Sequence, residues 1–147
     1  MTTTLGQDLL ETRLQLVEEH VRAENEHDVN CIMKTFTTEP TFVLNGATVT
    51  GHESIRGFYE EFGFGGKGGF ANLHVAVLQR HVSDEAVILE LMLSGEHQNT
   101  WQGIPATGQR FEIPACAVFT FDEAGKLAGE GVYLDGALLL KQLGALP

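Results

Sequence analysis

Apolar residues recur at three- and four-residue steps between Leu5 and about Glu26, where Leu10, Leu14, Val17 and Val21 make a stripe that Leu9 and Leu16 widen. That period belongs to an amphipathic helix with one face on a core. His27-Asp28 ends it, and Asp28 is placed to cap a second helix through Ile32 and Phe36, which Thr37 to Pro40 then breaks. Thr41 to Gly46 and Ala47 to Thr50 read as a short hairpin, because Asn45-Gly46 is a strong two-residue turn signal. The helical period returns over His52 to Phe62, with Ile55, Phe58, Tyr59 and Phe62 on one face. Gly63 to Gly69 predicts a flexible loop or lid. It contains a formal Gly-x-Gly-x-x-Gly, but a helix precedes it and a strand follows, the reverse of what a phosphate cradle needs.

From Ala71 onward the period falls to two. Long strands are predicted over Ala71 to Val82, Ala86 to Asn99, Gln109 to Phe121 and Leu127 to Asp135. Turns at Ser83 to Glu85 and Asp122 to Lys126 and a loop at Trp101 to Gly108 join them, and a short helix follows Asp135. In the second strand Val87, Leu89, Leu91 and Leu93 share a face with His97; in the third, Phe111, Ile113, Ala115, Ala117, Phe119 and Phe121 share one. Helices first and hairpin strands after give an α+β fold, with helices packed on one face of a curved antiparallel sheet. No repeat or linker divides residues 1–147, so one domain is expected. Such a sheet with helices across its mouth encloses a cavity, where a small-molecule site would lie.

Composition narrows the partners. A net charge of −11 with nine Lys and Arg leaves no basic surface for phosphates or an anionic membrane. The N-terminus lacks the basic and apolar runs of a signal peptide, no stretch approaches the ~20 apolar residues of a membrane span, and a cytoplasmic protein is expected. Cys31 and Cys116 are expected as buried thiols rather than a disulfide. The six His are scattered without His-x-His, His-Glu-x-x-His or Cys-x-x-Cys spacing, which argues against a metal. There is no Gly-x-Ser-x-Gly elbow. Cofactor-free acid–base chemistry or plain binding remains.

Asp135 sits among apolar neighbours at the junction of the last strand and the last helix. As an N-cap it would accept backbone N–H bonds from that helix; inside a pocket, its pKa would rise and it would serve as a general acid or base. Alternation places Gly129, Gly131, Tyr133 and Asp135 on one face, where the glycines either permit curvature or leave a cavity beside Tyr133 and Asp135. His97 is either a hydrogen-bonded core residue or a group that polarises a carbonyl in the same cavity. His27 and Asp28 are either loop and cap or the rim of the site.

Ala23 to Asp28, Gly51 to Tyr59, Gly95 to His97, Gly103 to Gly108, Tyr133 to Asp135 and Gln142 to Gly144 together cover most of the chain. In this order and spacing they resemble the SnoaL-like polyketide cyclases of the nuclear transport factor 2-like superfamily. The resemblance implies a cone of helices and a strongly bent sheet around a deep apolar pocket, usually in a homodimer. It also implies no metal or cofactor. Asp135 would be the acid–base group of an intramolecular aldol closure on a small apolar carbonyl compound, with His97 beside it. His27, Asn45, Phe58, Tyr59, Trp101 and Tyr133 would contact the substrate. Two relatives fit less well. Ketosteroid isomerases place a base Asp in the first hairpin, where this chain has Val43, Leu44 and Asn45. Limonene-epoxide-type hydrolases need an Asp–Arg–Asp set, and Arg80 and Arg110 are the only strand arginines. A ligand-binding protein without catalysis and a structural dimerisation domain are the alternatives to an enzyme.

Overall fold

The structure, a computed structural model, describes residues 6–146. They form α1 (Gln7–Asn25), α2 (Val29–Lys34), β1 (Phe36–Leu44), β2 (Ala47–Thr50), α3 (His52–Phe62), β3 (Phe70–Val82), β4 (Ala86–His97), β5 (Arg110–Phe121), β6 (Leu127–Leu134) and α4 (Gly136–Gln142). The strands make one open, curved six-stranded sheet in the order β2-β1-β6-β5-β4-β3. Its neighbours are antiparallel except β1 and β6, which run parallel. The inner face of the sheet, with Leu89, Leu91 and Leu93 from β4 and Ile113, Ala117 and Phe119 from β5, is buried together with Val17 of α1, Ile32 of α2 and Ile55 and Phe62 of α3. This is the α+β fold, helices against one face of a curved sheet, that the periodicities predict, with the parallel β1–β6 pair as the exception to the antiparallel order; the expected helix start at Leu5 lies outside the described residues.

Three local expectations need correction. The second helix stops at Lys34, because Thr35 turns its hydroxyl back onto the Ile32 carbonyl (2.6 Å). Phe36 to Pro40 then belongs to β1. Pro40 is tolerated because the pairing of β1 with β6 shifts register between Phe36 and Thr41, and a bulge has room for a residue without an N–H. β4 ends at His97, since the amides of Gln98 and Asn99 turn to the Gly69 carbonyl (2.9 and 3.1 Å). Cys31 is exposed, because α2 buries Val29, Ile32 and Met33 instead, and Cys116 is half-buried.

Two polar contacts hold α1 across the sheet. Asn25 pairs with the backbone of Val75 in both directions (Nδ2 to the carbonyl 3.0 Å, amide to Oδ1 2.7 Å), and His27 Nε2 donates to the Leu73 carbonyl (2.8 Å). The glycine-rich segment after α3 is tied down as well. Phe64 is buried and stacks on Phe62 (5.8 Å), and the Gly69 amide bonds the Glu61 carbonyl (2.8 Å). Gly63 adopts φ +132°, and a Cβ there would collide with the Phe70 carbonyl oxygen. Gly63→Ala is therefore expected to cost on the order of 3 kcal/mol, read as a lower denaturation midpoint.

Candidate functional site

Between the inner face of the sheet and the helices lies a narrow cavity of ≈ 60 Å³. That is room for about four to six water-sized groups. Phe42, Phe58, Tyr59, Phe62, Phe64 and Phe119 supply its rings, and Leu89, Val132 and Leu134 contribute aliphatic wall. Among the described residues, Glu24 and Glu130 are the only charged groups that line it.

The polar end is assembled from four elements. Helix α1 carries His20 and Glu24 one turn apart, on the face that buries Leu16, Val17 and Ala23. Tyr59 comes from α3, Glu130 from β6 and Thr35 from the C-terminus of α2; all five side chains are buried. Counting hydrogens fixes their roles. Thr35 Oγ1 gives its one proton to the Ile32 carbonyl, so it accepts from His20 Nδ1 (2.8 Å). His20 Nε2 then faces Tyr59 Oη (3.2 Å), Glu130 Oε1 (3.2 Å) and Glu24 Oε2 (3.8 Å). Tyr59 Oη spends its proton on Glu130 Oε1 at 2.5 Å. An Nε2 set among oxygens is stable as an N–H, so the ring is held as an imidazolium.

The electrostatics agree. Burial alone would pull the proton from His20, but the Glu130 and Glu24 carboxyls and the hydrogen bond to Glu130 outweigh it and leave the pKa above its ordinary 6.5. Glu24 moves further. Burial pushes its carboxyl up, His20 pulls it partly back and Glu130 pushes it up again, to about 8. At neutral pH Glu24 is thus mainly a neutral carboxylic acid. Only 9% of its side chain is exposed, and its carboxyl makes no hydrogen bond among the described residues. Burial, then Glu130 and Glu24, hold the Tyr59 phenol well above 10. His20, Glu24 and Glu130 also place ligand atoms within 4.8 Å of one another, as a metal ion would require. Here two of the three are already engaged: both ring nitrogens of His20 donate, and Glu130 accepts from Tyr59.

Of the residues expected at the site, Phe58 and Tyr59 line the cavity. The others stand elsewhere. Asp135 is exposed and caps α4, accepting from the Leu138 amide (2.9 Å). Tyr133 is 52% exposed on the outer face, folded across Gly131, where a Cβ would meet its ring at 3.5 Å. The inward register of β6 is Glu130, Val132 and Leu134, the opposite of the face expected from the two glycines. His97 is buried but does not line the cavity; its Nδ1 is held by Thr107 (3.0 Å to Oγ1) and its ring lies 5.3 Å from that of Phe70. Asn45 fixes the hairpin to the end of β6 by accepting from the Leu134 amide (2.9 Å). Trp101 packs on Phe62 and Phe70, and His27 is engaged with Leu73. Asp135→Ala should therefore cost about 1 kcal/mol, the loss of a helix cap, and leave any reaction in the cavity unchanged. Chemical denaturation and a turnover assay would separate the two effects.

His20, Glu24 and Glu130 escaped the sequence reading, although each leaves a trace. His20 and Glu24 interrupt the apolar face of α1 at i and i+4, and Glu130 stands in register with Val132 and Leu134. A polar residue in a buried register is the informative observation.

A curved, unclosed sheet with helices on its inner face is the ketosteroid isomerase-like, or nuclear transport factor 2-like, fold. Residues 17–130 match the profile of the SnoaL-like domain, and the chain belongs to that family. Solved structures agree over nearly the whole chain. A protein from Jannaschia sp. CCS1, provisionally described as a SnoaL-like polyketide cyclase, superposes with a TM-score of 0.83 at 19% identity, covering 99% of this chain and 100% of that one. TsrD from Streptomyces laurentii gives 0.79 at 25% identity, covering 97% and 99%. A protein of ketosteroid isomerase-like fold from Catenulispora acidiphila, solved in complex with trimethylamine, gives 0.75 at 21%, covering 90% and 94%. No curated protein matches the chain. No helix among the described residues is long and apolar enough to cross a membrane.

Proposed function

We propose that the protein is a proton-transfer enzyme of the cyclase or isomerase type, acting on a small carbonyl compound, with Glu24 as its acid–base group. One observation carries this reading: Glu24 is a buried carboxyl without a hydrogen-bond partner among the described residues, its proton affinity raised, in the wall of an apolar cavity. His20 and Glu130 set its proton affinity, and Tyr59 holds Glu130 in place. Asp135 is exposed, caps α4 and does not line this cavity, which favours Glu24 for the role. Membership of the SnoaL-like family supports acid–base chemistry in this cavity.

The cavity also bounds the substrate. Typical ligand pockets offer roughly 300 Å³ or more, so ≈ 60 Å³ favours a compound far smaller than a polycyclic polyketide. The trimethylamine of the Catenulispora protein is a very small molecule too. The test is exchange of α-protons into small ketones in D₂O, followed by NMR. Exchange above the rate of unfolded protein for at least one ketone is expected. Its absence across the panel would remove proton transfer and leave a binding protein.

A further inference from the structure

We propose that the cavity binds a small alkylammonium group beside Glu24, whose positive charge takes the place of the Glu24 proton. This names the ligand class of the cavity discussed above and rests on that cavity being the ligand site.

Charge counting comes first. The cluster holds two carboxyls, Glu24 and Glu130, and a single side chain able to balance them, His20. His20 is committed to Glu130 on one nitrogen (3.2 Å) and to Thr35 on the other (2.8 Å). Glu24 is left over. Its nearest positive group is His20 Nε2 at 3.8 Å, its side chain is nine-tenths buried, and no donor reaches its carboxyl among the described residues. One positive charge in the cavity completes the set, supplied by a proton when the cavity is empty and by a ligand when it is filled. Among the described residues no Lys or Arg lines the cavity, which disfavours an anion.

The walls suit the same ligand. Phe42 and Phe58 lie 4.7 Å apart, and Tyr59 and Phe62 continue the aromatic surface from Phe58 at 5.9 and 6.2 Å. Ring faces attract an alkylated cation, which sheds its weak hydration easily. The space, about five small groups, matches a tri- or tetra-alkylated nitrogen with methyl substituents.

Proton transfer makes the same demand. With a neutral ketone, Glu24 in its base form is an unbalanced carboxylate before the transfer and the enolate is an unbalanced anion after it, while the Tyr59 and His20 donors are already engaged. A carbonyl substrate with an ammonium group beside its α-carbon balances both. The α-C–H bond breaks, the proton passes to the Glu24 carboxylate, and the electron pair passes into the adjacent carbonyl as an enolate next to the positive nitrogen. The negative charge in the apolar interior is paired throughout.

The experiment is a calorimetric titration of the full chain with tetramethylammonium, with tert-butanol as a neutral molecule of the same shape. Expected is saturable tetramethylammonium binding that tightens about tenfold for each unit by which the pH rises towards the Glu24 pKa and levels off above it, because each binding event below that pKa releases one proton. Binding should weaken at least about tenfold in Glu24→Gln and clearly in Phe58→Leu, which keeps an apolar wall and removes the ring. Equal or tighter binding of tert-butanol, an affinity unchanged in Glu24→Gln, or no tetramethylammonium binding would each overturn the proposal. α-Proton exchange by the wild-type protein judges the enzymatic reading separately: exchange with neutral ketones and no ammonium binding keeps the enzyme and rejects the cation site. Ammonium binding without exchange does the reverse.

Discussion

Glu24→Gln is expected to lower proton-transfer turnover by about 10²–10⁴-fold, the usual contribution of a positioned acid–base group. Gln keeps the size and polarity of the side chain and removes only the titration, so the fold should survive. Stability should report the same proton from the other side. Folding raises the Glu24 pKa from 4.5 to about 8, so the folded protein holds a proton that the unfolded chain has released. That contribution is fully present below about pH 4.5 and is lost as the pH rises through 8. His20, also raised by folding, adds stability in the same direction, present below 6.5 and lost as the pH passes its higher folded value. Wild-type stability should therefore fall from mildly acidic to alkaline pH. In Glu24→Gln much of that slope should disappear, leaving the variant relatively more stable at pH 9 by on the order of a few kcal/mol. Denaturation midpoints across pH check the sign, and equal slopes in both proteins would show that Glu24 titrates normally.

Glu130→Ala is expected to be the most destabilising change in the cluster, costing about 3 kcal/mol or more. Glu130 accepts from the Tyr59 phenol and faces the His20 imidazolium, and removing one member of a buried set leaves the others uncompensated. The loss has a natural limit. Without Glu130, burial dominates at His20, which can shed its Nε2 proton and accept from Tyr59 Oη across the existing 3.2 Å. The variant should consequently show a lower His20 pKa than the wild type, where Glu130 helps to raise it. NMR titration of the His20 ring reads this directly. An unchanged His20 pKa would mean that Glu130 is not its counter-ion.

The fold was largely legible because it follows from periodicity. The alternation of β4 buries Val87, Leu89, Leu91 and Leu93 as expected, β5 and α3 bury all of their expected face but Phe121 and Phe58, and the stripe of α1 buries Leu16 and Val17 and leaves Leu9, Leu10, Leu14 and Val21 half-buried. Errors arose where the period is locally broken. Phe36 to Pro40 reads as a helix end because Pro40 disfavours helix, whereas the bulge against β6 that admits it to a strand is a tertiary feature. The site was much less legible. Alternation in β6 says that Gly129, Gly131 and Tyr133 oppose Glu130, Val132 and Leu134, yet it does not say which set faces inward. The glycines could signal either curvature or a cavity, and Gly131 lies under the Tyr133 ring on the outer face. Asp135 drew attention as a carboxyl among apolar residues, and it caps α4 outside this cavity. The acids that do face the cavity come from residues 24 and 130, which no local pattern joins. Only the packing of α1 against β6 brings them together, with α3 supplying Tyr59 to the same point.

The most direct measurement is a carboxyl-carbon NMR titration of the protein with labelled Glu, with the Glu24 signal assigned by its absence in Glu24→Gln. One Glu carboxyl that stays protonated through neutral pH and titrates near 8 is predicted, and it should be Glu24. If every Glu, Glu24 included, titrates in the ordinary carboxylate range, the cavity holds no poised acid and the proton-transfer account fails.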